Sequence, residues 1–195
     1  MSAMLKLVAG ALIMLSAAST GADPPLTPGP DVPYENVGAC PFECCTYRMW
    51  TVAADTDILA DRTDTAPVAF RVRRGMRVRG VTGVAVTTKP GQARVQLSTT
   101  LGTDARRVRV KPGDPVFVLH YLGEGYWKLW VQGRVVEDGL QDEMSGCAND
   151  AQEPVTCAVR LIEKPQAVWW VKVRSRGREG WTRQVDHFSD IDACG

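Results

Sequence analysis

The sequence has no excess of charge of either sign, few histidines and little helical character. Its 195 residues carry 23 Lys and Arg against 22 Asp and Glu, which argues against a uniformly basic nucleic-acid binder and against an acidic disordered chain. The 18 Gly and 12 Pro, with few helix-like stretches, argue against a helical bundle. The two histidines come with no Gly-x-Ser-x-Gly elbow and no metal-binding His pair, so no motif fixes a reaction. The length predicts one domain or two small ones.

The N-terminus lacks an apolar run long enough to span a bilayer, which needs ~20 residues. Its apolar residues 7–18 follow a single charge, Lys6, and precede small residues. This pattern is typical of a signal peptide over residues 1–22, cleaved after Ala18 or Ala22, with a retained membrane anchor as the alternative. We therefore expect a periplasmic or secreted protein that meets the membrane only through export.

A proline-rich stretch, residues 23–37, follows the predicted signal peptide. Because proline lacks an N–H and fixes φ, we expect an extended tether there rather than a folded element. The folded part is expected to begin near Gly38. The prolines of the stretch are Pro24, Pro25, Pro28, Pro30 and Pro33.

Six cysteines follow, and an even count in an exported chain indicates disulfides formed in an oxidising compartment. A bond between the adjacent Cys44 and Cys45 would be strained, so each is expected to find another partner. We expect Cys194 to link the C-terminus to this cluster. We also expect a local bridge between Cys147 and Cys157, which flank a polar stretch. The alternatives are a metal site or a reactive thiol; residues 40–45 lack the paired C-x₂-C spacing of zinc sites. The candidate disulfide residues are Cys40, Cys44, Cys45, Cys147, Cys157 and Cys194.

Short apolar runs separated by Gly, Pro and Asp fill the chain beyond residue 50. Trp127, Leu129 and Val131 share one face of a strand, and Gln132-Gly133 has the composition of a hairpin tip. Many strands at this spacing predict an all-β fold, as a small barrel or sandwich.

One of the predicted strands, residues 76–87, contains Gly80 and Gly83. Because glycine weakens a strand interior and often marks a bend or a close approach, we expect these two glycines to bend the strand.

Several motifs resemble the bacterial SH3-like domains of exported proteins. The opening half of that pattern is similar to DILA at 57–60, PVA at 67–69 and RGMRV at 74–78. The closing half is similar to WVKV at 170–173 and REGWT at 178–182. The resemblance implies one or two small SH3-like barrels, stabilised by disulfides after removal of the signal peptide.

A second, weaker copy resembles the same family at PGDPVFVL, residues 112–119, and WKLWVQG, residues 127–133. The two implied units cover residues 38–110 and 111–195, the second with an inserted acidic loop, and the units can interleave. Such domains are usually non-catalytic. The resemblance therefore implies a module that binds peptidoglycan, an anionic envelope polymer or an envelope protein; a structural accessory subunit is another alternative.

Charge is segregated along the chain although the total is balanced. Residues 71–111 hold eleven Lys and Arg and one acid, whereas residues 135–155 hold six acids and no base. Arg107 and Arg109 alternate with valines, so both are expected to point away from the core, where they would attract carboxylates or phosphates. The alternative is that the acidic loop folds over the basic strands or that the arginines are merely solvated. Nucleic acid is not expected as the anion, because the chain is exported.

The aromatic residues have two interpretations. Trp127 and Trp169 fall on apolar strand faces and are expected in the core. A second group falls on the opposite faces or beside a Gly-rich turn, where it would form a peptide-binding groove or cover a small core between units. The candidate ligand-binding residues of this group are Trp130, Trp170, Tyr121 and Tyr126, to which Arg107 and Arg109 are added.

Catalysis is not expected, and no cofactor or metal is predicted. A Cys–His pair such as Cys44 with His187 would be the nucleophilic site of the alternative, a secreted cysteine-dependent hydrolase or thiol-redox enzyme. His120 ends an apolar strand, which favours a structural role.

Overall fold

The computed structural model describes residues 28–103, 106–140 and 157–194. The fold of this part is all-β, with short 3-10 turns such as Val185–His187. Within it, no helix has the length and the apolar character needed to cross a membrane. The predicted signal peptide, most of the acidic loop and Cys147 lie outside these residues.

Fifteen strands occur in the described residues, and all their pairings are antiparallel. In chain order they are β1 (Tyr34–Val37), β2 (Met49–Val52), β3 (Thr56–Leu59), β4 (Val68–Val72), β5 (Arg77–Lys89), β6 (Gly91–Val95), β7 (Thr99–Leu101), β8 (Val108–Val110), β9 (Pro115–Gly123), β10 (Tyr126–Val131), β11 (Arg134–Gly139), β12 (Val159–Glu163), β13 (Gln166–Ser175), β14 (Arg178–Thr182) and β15 (Phe188–Ser189).

The larger sheet has eight strands in the order β15-β2-β5-β13-β14-β3-β4, with β1 pairing to the far end of β5. The longest pairing joins β5 to β13, from Lys89 opposite Gln166 to Arg79 opposite Arg174. The C-terminal strands therefore complete the sheet that the N-terminal strands begin. This sheet curls into a half-barrel.

Gly80 and Gly83 lie where aromatic rings press against β5. A Cβ at Gly80 would lie 2.6 Å from Cζ2 of Trp50, and one at Gly83 would meet Tyr47 and Trp169. The strand nevertheless continues without a break through both glycines. The rings of Trp50, Tyr47 and Trp169 therefore approach β5 so closely that these two positions have no room for a side chain.

A second sheet has five strands in the order β11-β10-β9-β6-β12, and β7 pairs with β8 as a separate two-stranded ribbon. The faces of β9 exchange at a bulge, because Leu129 pairs with Val118 while Lys128 pairs with His120. Leu119 is the extra residue at the bulge and is fully buried. His120 therefore lies on the same outer face as Lys128.

Two clusters of buried apolar side chains form the interior. The first cluster draws on residues 50–78 and 171–188, and the second on residues 93–161. The division into units 38–110 and 111–195 remains a prediction from the sequence. The first cluster is Trp50, Val52, Ile58, Phe70, Val72, Val78, Val171, Val173 and Phe188. The second is Ala93, Val95, Leu101, Val108, Val110, Val116, Val118, Trp127, Leu129, Val131, Val136, Leu140, Val159 and Leu161.

Two disulfides close the N-terminal cysteine cluster. Cys40 is bonded to Cys45, and Cys44 is bonded to Cys194 across 150 residues of sequence, with Cα–Cα distances of 5.5 and 5.6 Å. The expected link between the C-terminus and this cluster is therefore present. Cys157 is buried and disulfide-bonded, and the described residues include no free cysteine.

Candidate ligand-binding faces

The outer face of the five-stranded sheet carries an aromatic row. Alternation along β10 turns Trp127, Leu129 and Val131 into the core and leaves Trp130 half-buried on the outside. Trp130 lies opposite Phe117 of β9 and Val135 of β11, and Phe117 lies opposite Gln92 of β6. We call this row, Trp130, Phe117, Val135 and Gln92, the aromatic face.

An extended segment of the chain lies on the aromatic face. The indole Nε1 of Trp130 donates a hydrogen bond of 3.2 Å to the carbonyl oxygen of Pro28. A Cβ built at Gly29 would lie 3.4 Å from Cζ of Phe117, in ordinary van der Waals contact, so Gly29 lies beside that ring. Pro30 follows and is half-buried. The sequence predicted a tether over residues 23–37 and did not predict this contact; the signal for it was a proline-rich stretch in a chain with an aromatic β unit.

The structure separates the other aromatic candidates from Trp130. Trp170 is only 6% exposed, so its expected place on an open binding face is corrected: β13 is covered on both sides at this point. Trp169 is half-buried against the first cluster. Tyr121 faces the second cluster, with its ring 5.0 Å from that of Trp127 and its hydroxyl accepting a hydrogen bond from the Gly125 N–H.

Tyr126 is the most exposed of the aromatic candidates, at 47%. It borders a cavity of about 310 Å³ together with Phe42, Leu122 and the carboxylates of Glu124 and Glu137. The structure therefore does not bring the four predicted aromatics to one groove.

Arg107 and Arg109 both point into solvent. Their neighbours Val108 and Val110 are buried, so the alternation predicted from the sequence is present in β8. The side-chain amide of Gln132, at the tip of the β10–β11 hairpin, donates a hydrogen bond of 3.1 Å to the Arg109 carbonyl. This contact fixes the strand that carries the two arginines.

Two other cations of the basic segment, residues 71–111, form ion pairs with acids. Arg71 pairs with Asp57 at 2.6 Å, and Lys89 pairs with Glu163 at 2.5 Å. Of the acids that the structure describes, none lies within ion-pair distance of Arg107 or Arg109. The predicted cover by residues of the acidic loop falls mainly outside the described residues. We call Arg107 and Arg109 the basic strand.

A polar network ties β1 to the outer face beside the aromatic row. The side-chain nitrogen of Asn36 lies 3.0 Å from Nε2 of His120. Lys128 donates a hydrogen bond of 3.0 Å to the side-chain Oδ1 of Asn36 and pairs with Glu137 at 3.0 Å. The ring of Tyr34 stacks over the ring of His120, with 6.4 Å between the ring centroids. Burial, reinforced by the charge of Lys128, lowers the pKa of His120 to about 4.

The nucleophilic pair of the enzyme alternative is not assembled. Cys44 is bonded to Cys194 and thus carries no thiol, while His187 Nδ1 lies 2.9 Å from the Thr56 hydroxyl. No group of three or more metal-ligating side chains occurs in residues 28–103, 106–140 and 157–194.

Comparison of the chain with protein-family models, with curated proteins and with solved structures finds no match. The resemblance to SH3-like domains rests on the sequence motifs.

Proposed function

We propose that the protein is a non-catalytic, exported binding module of SH3-like units whose basic strand recognises an anionic envelope polymer, with the carboxylates of peptidoglycan as the chemistry bound. The disulfides Cys40–Cys45 and Cys44–Cys194 support export, because such bonds persist in oxidising compartments. The all-β scaffold supports a binding role, because a rigid sheet holds exposed side chains in fixed positions.

The observation that carries the proposal is the geometry of Arg107 and Arg109. Arg107 directly precedes β8 and Arg109 lies within it; both side chains are exposed while Val108 and Val110 are buried, and neither arginine pairs with a described acid. A guanidinium presents paired N–H donors that match a carboxylate, and two of them two residues apart suit a polymer that repeats its anionic groups. Contacts of this exposed kind are screened by salt.

Cosedimentation with isolated peptidoglycan tests the proposal, across NaCl concentrations from about 50 to about 500 mM. The wild-type protein should be retained at low salt and released as salt rises. Arg107→Glu with Arg109→Glu should weaken retention by at least ~10-fold, since it removes two charge-assisted contacts.

The matched control is Arg73→Glu with Arg79→Glu, which makes the same change of net charge at exposed positions away from β8. This control should retain near-normal binding. Equal loss in both variants would mean that net charge alone governs retention and would overturn a site on the basic strand. Absence of retention at every salt concentration would overturn the polymer and favour a protein partner, as expected of a structural accessory subunit.

A further inference from the structure

We propose that the aromatic face is a binding site for an extended, proline-rich peptide, and that residues 28–30 of the chain occupy this site in cis. The site is separate from the basic strand and does not depend on the function proposed for it. Its occupant is visible: the Pro28 carbonyl accepts the Trp130 hydrogen bond, and Gly29 lies beside the Phe117 ring.

The contacts have the chemistry of polyproline recognition. Proline-rich peptides adopt an extended helix without internal hydrogen bonds, so their carbonyls are free to accept bonds and little order is lost on binding. Aromatic rings supply flat apolar surface to such a chain, and an indole N–H supplies a directional donor. Trp130 and Phe117, opposite each other on neighbouring strands, provide both features.

Residues 28–30, the segment of the chain that occupies the site, are held weakly enough to be displaced. Pro28 and Gly29 are exposed, and residues 28–30 belong to no strand. Among the described residues, the hydrogen bond that joins this segment to the sheet is the one from Trp130. By contrast, β1 begins at Tyr34, opposite Thr87, and is fixed by strand pairing.

This arrangement gives the segment a local advantage over a free peptide. Because β1 anchors the chain a few residues away, the effective concentration of the segment at the aromatic face is of millimolar order. A peptide in trans must therefore compete with it, and loosening the segment should uncover the site.

The test uses the protein purified after export and a synthetic peptide with the sequence of residues 23–33, DPPLTPGPDVP. The location of binding is followed by the ¹⁵N-labelled indole N–H resonance of Trp130, assigned with Trp130→Phe, and the peptide affinity of every variant is measured by isothermal titration calorimetry. The loosened variant is Pro28→Gly with Pro30→Gly, which leaves the segment in place but raises the entropy lost when it is ordered.

The loosened variant should bind the peptide at least ~10-fold more tightly than the wild type, with the Trp130 resonance moving. Adding Trp130→Phe to the loosened variant should weaken binding by ~10-fold, about the loss of one hydrogen bond, whereas adding Trp181→Phe should not. A peptide with every proline replaced by alanine should bind more weakly in both proteins.

Three results would overturn the inference. In the first, the peptide leaves the Trp130 resonance unmoved in both the wild type and the loosened variant, so that residues 28–30 are simply part of the fold. In the second, the alanine peptide binds as well as the proline peptide. In the third, a soluble peptidoglycan fragment shifts the Trp130 resonance and the peptide does not, which would assign the face to a glycan and leave the separate test of the basic strand unaffected.

Discussion

His120 accepts a hydrogen bond from the side-chain amide of Asn36, with 3.0 Å between Nε2 and Nδ2 and 84 residues between them in the sequence. Lys128 fixes the orientation of that amide, because an ammonium group can only donate and therefore faces Oδ1. The Asn36 NH₂ group must then face the imidazole. His120 is therefore a neutral imidazole with no proton on Nε2, and this hydrogen bond connects it to β1.

Stability should fall as the pH drops from about 6.5 to about 4. The folded pKa of His120 is lowered to about 4 from 6.5, so in this window the unfolded chain binds a proton that the folded chain excludes. The free energy of unfolding should decrease by about 3 kcal/mol across the window. Urea unfolding at several pH values measures it.

His120→Gln should flatten the His120 part of this pH dependence, because glutamine does not titrate. His187→Gln is the matched control and should keep that part. An unchanged slope in His120→Gln would show that other groups cause the acid sensitivity.

The two disulfides should contribute unequally to stability. Cys44–Cys194 spans 150 residues and Cys40–Cys45 spans 5, so loop closure predicts a larger effect for the first. Replacing Cys44 and Cys194 with serine should lower the free energy of unfolding by about 5 kcal/mol, against about 2 kcal/mol for Cys40 and Cys45. Chemical denaturation of the two double variants compares them; equal losses would contradict the loop-length argument.

Gly80→Ala should destabilise the first cluster. The new methyl group would lie 2.6 Å from the Trp50 ring, which is fully buried and donates from Nε1 to the Thr46 carbonyl. Overpacking of this kind costs about 1–3 kcal/mol. In the control Gly139→Ala, the Cβ would meet only Gly125 O at 4.0 Å, so little change is expected. Thermal unfolding distinguishes the two, and a neutral Gly80→Ala would show that Trp50 can move.

Thr87→Val should weaken the connection between the two sheets. The Thr87 hydroxyl is buried and donates a 2.8 Å hydrogen bond to the Leu119 carbonyl, joining β5 to β9. Loss of the donor leaves that carbonyl unsatisfied, which costs about 1–3 kcal/mol. Thr88→Val, at an exposed position, is the control with little expected effect. Equal unfolding midpoints in urea would argue against a role for the Thr87 bond.

Local pattern was enough to predict several features. Alternation placed Arg107 and Arg109 outside and Val108 inside, because a strand with one covered face repeats every second residue. Gln132 and Gly133 both have positive φ at the β10–β11 turn, as the composition of a hairpin tip indicated. These features depend on neighbouring residues alone.

The sequence by itself therefore determined the all-β class, the outward arginines and the link from Cys194 to the N-terminal cysteine cluster. The tertiary structure decided that Trp170 is buried, that Phe117 lies on the outer face opposite Trp130, and that Trp130 donates a hydrogen bond to Pro28. The fully apolar run 116–119 shows no period, so its faces could not be assigned before its partners and its bulge were known. Strand pairing and segment docking join residues far apart in the sequence, and no local pattern encodes which of them meet.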